Sequence, residues 1–352
     1  MSLEEIIQNI KPLDEKAMDL CAKRWNTLGK PLYSLGRLEE MVIQMAGIYR
    51  HPMARPKKKA VIVMAADNGV VAEGVTQTGQ EVTKIVTENM TKKNASICVF
   101  SSMSGADVYP VDIGIVTEVD NPKIIHKKVK YGTDNMAKGP AMTREEAVEA
   151  ILKGVEVTKE LIDQGYDLFA TGEMGIGNTT TSSAICAVLL NESVEKVTGK
   201  GAGLTSEALL HKIQIIKDSI ALNQPDPNDP IDVLAKVGGL DIAGLAGVFL
   251  GAAYYGKAVF VDGFISSVAA LVATRIAPIC KNYIFPSHCS NEPAGRMVLE
   301  AMDMEPYILA NMCLGEGTGA VMGFTICDYA MKAYHEIPSF EETKFGTYEP
   351  LD

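Results

Sequence analysis

Short apolar runs that end in polar or glycine-containing turns place the strongest constraint on the fold. In the clearest of them, residues 60–66, every side chain is apolar, and Asp67-Asn68-Gly69 follows directly. A run that is apolar on both alternating faces predicts a strand buried on both sides, as in a parallel sheet. Similar runs predict further strands at residues 107–113, 168–171, 258–261 and 283–285.

Segments of helical length lie between these runs. They predict helices at residues 81–90, 144–164, 178–190, 206–222 and 240–254. Continuously apolar strands that alternate with helices indicate a doubly wound α/β fold with a mostly parallel sheet. Ligands of such sheets bind beyond the carboxyl ends of the strands, where we expect Asp67, Gly172 and Asp262.

Both ends of the chain have their own patterns. Residues 1–50 are predicted to be helical, because Leu38, Met41 and Met45 follow the i, i+3, i+4 spacing of a helix. The polar tail, residues 337–352, is predicted to be a surface arm.

The composition excludes some classes of binding partner and indicates the cellular compartment. A net charge of −11 argues against binding to nucleic acid, which needs a basic face. The uncharged apolar stretch at 242–256 is too short to span a bilayer, and the acidic N-terminal segment lacks the pattern of a secretory signal. The 7 scattered cysteines form no CxxC pair, which predicts a reduced, cytoplasmic protein without a structural zinc site.

Residues 167–183 predict a strand, a glycine-rich turn and the start of a helix. The glycines and helix-opening residues of this turn are Gly172, Gly175, Gly177, Asn178 and Thr179. Glycines let a backbone approach a ligand, and a helix N-terminus offers free N–H groups, so the turn is a candidate phosphate cradle. Glu173 is out of place beside a phosphate, so we expect the turn to serve an anionic and a non-anionic end of one substrate.

Two further glycine clusters stand before predicted helices. In the cluster at 314–320, Glu316 lies between two glycines and is either a solvated loop residue or a carboxylate that approaches a ligand. The cluster at 199–205 contains Gly201 and is either an ordinary turn or a second phosphate contact. Lys212, in the helix that follows, is either a surface lysine or the cation that a phosphate needs.

Signatures of several other chemistries are incomplete or absent. Gly175-Ile176-Gly177 is only part of a dinucleotide fingerprint, and no GxxxxGK[ST] loop occurs. The histidines lack metal-ligand spacing, so the sequence predicts neither a metal site nor a cofactor. Asp67 and Asp262 each end an apolar strand, where they either form turns or recognise a hydroxyl, such as that of a ribose.

Taken together, several motifs resemble those of one family, the nicotinate-nucleotide:5,6-dimethylbenzimidazole phosphoribosyltransferases of cobamide synthesis. The resemblance covers nearly the whole chain, with the motifs in the same order. They are Ser34-Leu35-Gly36-Arg37-Leu38-Glu39, Ala66-Asp67-Asn68-Gly69-Val70, residues 172–180, Val237-Gly238-Gly239-Leu240-Asp241, Asp262-Gly263-Phe264, Pro286-Ser287-His288 and Leu314-Gly315-Glu316-Gly317.

The resemblance implies an enzyme that transfers phosphoribose from nicotinate mononucleotide to an aromatic base. The products are nicotinate and an α-linked ribotide, the precursor of the lower ligand of a cobamide. The resemblance also implies a large α/β domain, residues 51–335, and a small helical domain built from residues 1–50 and about 336–352. The family works as a dimer, so a homodimer or a heterodimer with a homologous subunit is expected.

The resemblance also assigns site residues by position. Glu316 resembles the general base of the family. Residues placed around the mononucleotide and its phosphate are Glu173, Gly175, Asn178, Thr179, Gly201, Lys212, Asp262, Ser290 and Leu314. Residues placed around the aromatic base are Thr78, Val86 and Met174.

The sequence is compatible with more than one acceptor base and with more than one role for the chain. Benzimidazole-using members of the family have an amide side chain near the position of Val86 and a serine where Thr78 stands. The more apolar pocket formed here by Val86 and Met174 is expected to accept a phenol as well as 5,6-dimethylbenzimidazole. One alternative is a non-catalytic nucleotide-binding subunit of a two-chain phosphoribosyltransferase. A further alternative, a nicotinamide-dependent dehydrogenase, would need the complete dinucleotide fingerprint, which this chain lacks.

Overall fold

A six-stranded, all-parallel sheet organises the computed structural model of the chain, which describes residues 1–344 and 346. The strand order is β3-β2-β1-β4-β5-β6. The strands are β1 (Lys59–Ala66), β2 (Ala106–Gly114), β3 (Ile125–His126), β4 (Leu168–Met174), β5 (Ala258–Val261) and β6 (Ile284–Pro286).

Helices cover both faces of the sheet, which explains why its strands are continuously apolar. Helices α11 and α12 pack on one face, with α6 against α11, and α5 and α14 pack on the other, with α3 against α14. The helices are α1 (Leu3–Asn9), α2 (Glu15–Trp25), α3 (Arg37–Tyr49), α4 (Glu81–Thr91), α5 (Ser96–Ser104), α6 (Arg144–Asp163), α7 (Asn178–Leu189), α8 (Val194–Val197), α9 (Ser206–Asn223), α10 (Pro230–Val237), α11 (Leu240–Tyr254), α12 (Phe264–Ile276), α13 (Gly295–Ala301), α14 (Thr318–Glu336) and α15 (Phe340–Thr343).

The order of the strands reverses between β1 and β4, which are the central pair of the sheet. This is the arrangement of doubly wound nucleotide-binding folds, and it confirms the predicted fold class. Chain segments leaving β1 and β4 diverge at this point and open a crevice at the carboxyl edge of the sheet. Asp67, Glu173, Asp262 and Ser287 all lie at this edge, each at or just after the end of a strand.

The two ends of the chain pack against each other beside the sheet. Trp25 of α2 and Tyr334 of α14 are buried in the same apolar core as the strands, with ring centroids 4.9 Å apart. Leu28 forms an antiparallel bridge with Ser339, and the N–H of Phe340 donates to Thr27 O. The start of the predicted surface arm is therefore docked, with Phe340 buried, while residues 345 and 347–352 of the arm lie outside the described residues.

The division into a small domain and a large domain stays a prediction. Residues 1–50 are helical and pack with the C-terminal segment, but their apolar side chains belong to one core with the sheet. None of the helices in the described part of the chain is both long and apolar enough to cross a membrane.

Candidate active site

A cavity opens beyond the carboxyl ends of β4, β5 and β6, next to the reversal point of the sheet. Its walls come from loops that follow these strands and from the segment before α14. Residues that line it include Glu173, Met174, Gly175, Asn178, Thr179, Gly201, Asp262, His288, Ser290, Glu292, Cys313, Leu314 and Glu316. The cavity therefore brings together residues that are far apart in the sequence.

Glu316 lies on a tight loop at one side of this cavity. Its φ is 62°, and the flanking glycines Gly315 and Gly317 have φ values of 93° and 98°. Such left-handed conformations are free for glycine and cost another residue roughly 1–2 kcal/mol, so the surrounding contacts must hold Glu316 in place. The N–H of Ile97, in the first turn of α5, donates to Glu316 Oε2 at 3.0 Å. The positive end of a helix thus faces the carboxylate and orients it.

Asp262 anchors the loop that carries Glu316. Its Oδ2 accepts the N–H of Gly317 at 3.0 Å, and its Oδ1 accepts those of Gly319 and Ala320 at 2.8 and 3.1 Å. Three charge-assisted bonds to the start of α14 explain why a fully buried carboxylate is tolerated there. The contacts that the structure gives to Asp262 are those of a positioning residue.

A buried pair of carboxyl groups lies deeper in the crevice. Asn178 Nδ2 donates to Glu173 Oε2 and to Asp241 Oδ2, the latter at 3.0 Å. Burial raises the pKa of Glu173 to about 8, and the charge of Asp241 adds to the rise. Burial likewise raises the pKa of Asp241 to about 7. The raised pKa of Glu173 favours its uncharged form, which lessens its predicted conflict with a nearby anionic substrate.

A cationic corner forms where α7 meets the loop before α9. Lys212 is 1% exposed, and its Nζ donates to Thr179 Oγ1 at 2.8 Å and to Gly199 O at 3.3 Å. Burial lowers the pKa of Lys212 to about 8, and the nearby carboxylate of Glu292 opposes that decrease. Gly201 lies against the same group, since a Cβ built on it would be 3.0 Å from Thr179 Oγ1. An ammonium, a hydroxyl and a glycine-rich backbone together can bind a phosphate.

Gly172 inside β4 and Gly175 in the turn after β4 are required by packing within the protein itself. A Cβ on Gly172 would overlap with the Glu316 carbonyl oxygen and lie 2.9 Å from the nitrogen of Gly317. A Cβ on Gly175 would be 2.5 Å from the Ala66 carbonyl oxygen and 2.7 Å from Asp241 Oδ2. The side of each glycine that lacks a side chain therefore faces a neighbouring chain segment. The sequence had instead predicted close approach to a ligand there.

Most of the sequence-predicted site residues meet in this cavity. Lys212 lies behind its wall and contacts it through Thr179. Thr78 and Val86 are not among the lining residues: Thr78 is exposed before α4, and Val86 lies on α4. That helix borders the cavity through Thr83, whose hydroxyl accepts the N–H of Ile176. A role of Thr78 and Val86 at the acceptor base stays a prediction.

Sequence reasoning missed the roles of several cavity residues. Asp241 was visible only as part of a glycine-containing motif, and its pairing with Glu173 depends on how α11 packs against β4. Glu292 carried no signal at all, because it stands in an ordinary loop after β6. His288 is buried beside Ser287, whose Oγ lies 3.2 Å from Nδ1, and it also lines the cavity. Within residues 1–344 and 346, no group of three or more His, Cys, Asp or Glu side chains could hold a metal ion.

Comparison with known proteins shows similarity over nearly the whole chain. The family described as phosphoribosyltransferase (DBI_PRT) matches residues 10–345. The nicotinate-nucleotide–dimethylbenzimidazole phosphoribosyltransferase of Ruminiclostridium cellulolyticum is 50% identical over 352 residues, which is 100% of each chain. The protein of the same name from Clostridium acetobutylicum is 49% identical over 351 residues, again 100% of each.

A solved structure is similar over nearly the same extent. The crystal structure of CobT from Thermus thermophilus superposes with a TM-score of 0.90 at 37% identity, covering 95% of this chain and 100% of that chain. Each of these matches covers at least 95% of this chain and the whole of the relative. The chain is therefore a phosphoribosyltransferase of the family to which these relatives belong.

Proposed function

We propose that this enzyme transfers 5-phosphoribose from nicotinate mononucleotide to an aromatic base and releases nicotinate. The product is an α-linked ribotide that serves as precursor of the lower ligand of a cobamide. The names of the full-length relatives support this reaction. The same proposal assigns 5,6-dimethylbenzimidazole as an acceptor, because those names specify a dimethylbenzimidazole.

One observation carries the proposal beyond the names. A single cavity holds an oriented carboxylate, Glu316, and borders a cationic corner built on Lys212 and Thr179. A phosphoribosyl transfer to a base needs these two features at opposite ends of the ribose. The corner binds the phosphate, and the carboxylate receives the proton of the attacking base.

The residues fit the chemical requirements of each step. The N-glycosylated pyridinium of nicotinate mononucleotide is a good leaving group, so no strong general acid is required. The attacking base must lose a proton, and a positioned carboxylate such as Glu316 typically contributes roughly 10²–10⁴-fold to the rate. Glu173, when protonated, adds no negative charge beside the substrate and can donate a hydrogen bond. Attack from the face opposite nicotinate converts the β-nucleotide into an α-ribotide.

The finer points of the proposal concern acceptor, assembly and compartment. Met174 in the cavity wall, with Val86 on the bordering helix, supports acceptance of a phenol as well as a benzimidazole. We propose that the active assembly is a dimer of identical or homologous chains. All seven cysteines are free, which supports a reducing compartment such as the cytoplasm.

Product identification tests the proposed function. The purified chain is incubated with nicotinate mononucleotide and either 5,6-dimethylbenzimidazole, phenol or no acceptor. We expect nicotinate and an α-ribotide in equal amounts when an acceptor is present, and neither without one. Absence of ribotide with every acceptor would contradict the proposal, as would nicotinate release that does not depend on an acceptor. Activity of the single purified chain would also exclude the alternative of a non-catalytic subunit.

A further inference from the structure

The carboxylate of Glu292 already lies in the cationic corner. It lies near the N–H of Gly201, which lowers its pKa, and it interacts electrostatically with Lys212. A Cβ built on Gly199 would overlap with Glu292 Oε2, so this oxygen lies directly against the glycine-rich loop. The side chain therefore lies against the same backbone that we assign to the phosphate, and it acts electrostatically on the same ammonium.

Only the side chain of Glu292 is free to leave this position. Its N–H donates to Ser290 Oγ at 3.3 Å, and its carbonyl oxygen accepts the N–H of Gly295 at 2.8 Å, so the backbone is fixed. The residue itself is only partly buried and lines the cavity, so its carboxylate can rotate towards solvent. The corner thus combines a fixed binding surface with a movable anion.

A carboxylate and a phosphate cannot share this corner without a large electrostatic cost. Two like charges at close range destabilise each other, and the cost rises in partly buried surroundings. In the absence of phosphate, the Glu292 carboxylate compensates the charge of the buried Lys212. With phosphate bound, the same carboxylate would repel the ligand.

We propose that Glu292 is a resident anion that holds the phosphate corner in the unliganded enzyme and is displaced by the phosphate of the mononucleotide. This inference rests on the proposed function, since it takes the mononucleotide as the ligand. It assigns Glu292 a role in specificity: only a ligand that carries a dianionic phosphate gains enough from the corner to displace the carboxylate. A nucleoside without phosphate leaves Glu292 where it is.

The test compares two ligands that differ only in the phosphate. Dissociation constants of nicotinate mononucleotide and of nicotinate riboside are measured by calorimetry for the wild type and for Glu292→Gln. Removal of the displaced charge should tighten mononucleotide binding by about tenfold, the order expected when one like charge is removed from close range. Riboside binding should not change. Glu300→Gln, an exposed position on α13, is the control for the same change in net charge.

Several outcomes would overturn the inference. Unchanged or weaker mononucleotide binding by Glu292→Gln would show that the carboxylate does not compete with phosphate. An equal change for both ligands would show a general effect on the cavity. Glu292→Ala serves as a second variant, and loss of folding in both variants would show that the carboxylate is a fixed part of the loop. If the wild type binds no mononucleotide, the proposed function itself fails, which is a distinguishable result.

Discussion

At the residue scale, Glu173 shows how burial adapts a carboxyl group to a site that handles anions. Its pKa of about 8 lies well above the ordinary value of 4.5, first because of burial and second because of Asp241. The folded state therefore binds more protons than the unfolded state between about pH 4.5 and 8. The stability contributed by this group is complete below that range and is lost as the pH rises through it.

Replacement of Glu173 should change the pH dependence of stability in this range. In Glu173→Gln, the free energy of unfolding should fall less steeply as the pH rises, by at most about 1.4 kcal/mol per pH unit. Asp241 should keep part of the slope, because burial raises its pKa as well. Chemical denaturation at a series of pH values measures the effect, with Glu300→Gln as control. Identical slopes for Glu173→Gln and the wild type would contradict this description of the buried pair.

At the element scale, strand β4 and the loop before α14 depend on each other, through Gly172 of the strand. Gly172→Ala would place a methyl group against the Glu316 carbonyl oxygen and near the nitrogen of Gly317. We expect the loop to shift and turnover to fall by roughly tenfold or more, because displacement of a catalytic group by about 1 Å can cost about a hundredfold. Gly139→Ala is the matched control, because a Cβ there meets nothing within 4 Å.

Steady-state kinetics of the two alanine variants measures this dependence. Mononucleotide affinity of Gly172→Ala should change less than its turnover, since the cationic corner lies on other segments. Wild-type turnover in Gly172→Ala, or equal losses in both variants, would refute the proposed dependence between β4 and the loop before α14.

Elements with strong local patterns were predictable from the sequence, and the others were not. The apolar run at residues 60–66 predicts β1 to within one residue, because a strand buried on both faces must be apolar throughout. Strand β3 has only two residues, and its pairing with Val111 and Asp112 leaves no mark on the sequence. Helix α12 was not predicted, although its apolar and small residues resemble those of α11, which was predicted.

The residues of the candidate site also divide into those that local sequence patterns indicate and those that they do not. Glycine patterns pointed to Glu173, Thr179 and Glu316, because unusual backbone conformations and close packing demand glycine around them. Glu292 and the pairing of Asp241 with Glu173 could not be predicted. Their positions depend on how separate elements pack at the carboxyl edge of the sheet.

At the scale of the whole molecule, we expect the acceptor range to depend on α4 and the cavity wall together. Val86 lies one turn after Thr83, the residue that joins α4 to the turn after β4. An apolar wall leaves no buried polar group unpaired by an acceptor that lacks ring nitrogens, so it rejects phenols only weakly. We expect phenol to be used alongside 5,6-dimethylbenzimidazole, either by this chain alone or together with a homologous subunit.

Competition between the two acceptors measures this preference. The ratio of kcat/KM for phenol to that for 5,6-dimethylbenzimidazole should fall by about tenfold in Val86→Gln, the order of one altered pocket contact. Ile85→Gln, an exposed neighbour on the same helix, is the control. No phenol product in either assembly would disprove the expected acceptor range.

The most direct test of the whole account is the turnover of Glu316→Gln beside its affinity for nicotinate mononucleotide. Glu316 is the oriented carboxylate of the cavity, and the phosphate corner lies on other elements. We expect kcat of Glu316→Gln to fall by roughly 10² or more, while its dissociation constant for the mononucleotide stays close to that of the wild type. Near-wild-type turnover on a neutral aromatic acceptor would contradict it and would show that another group takes the proton.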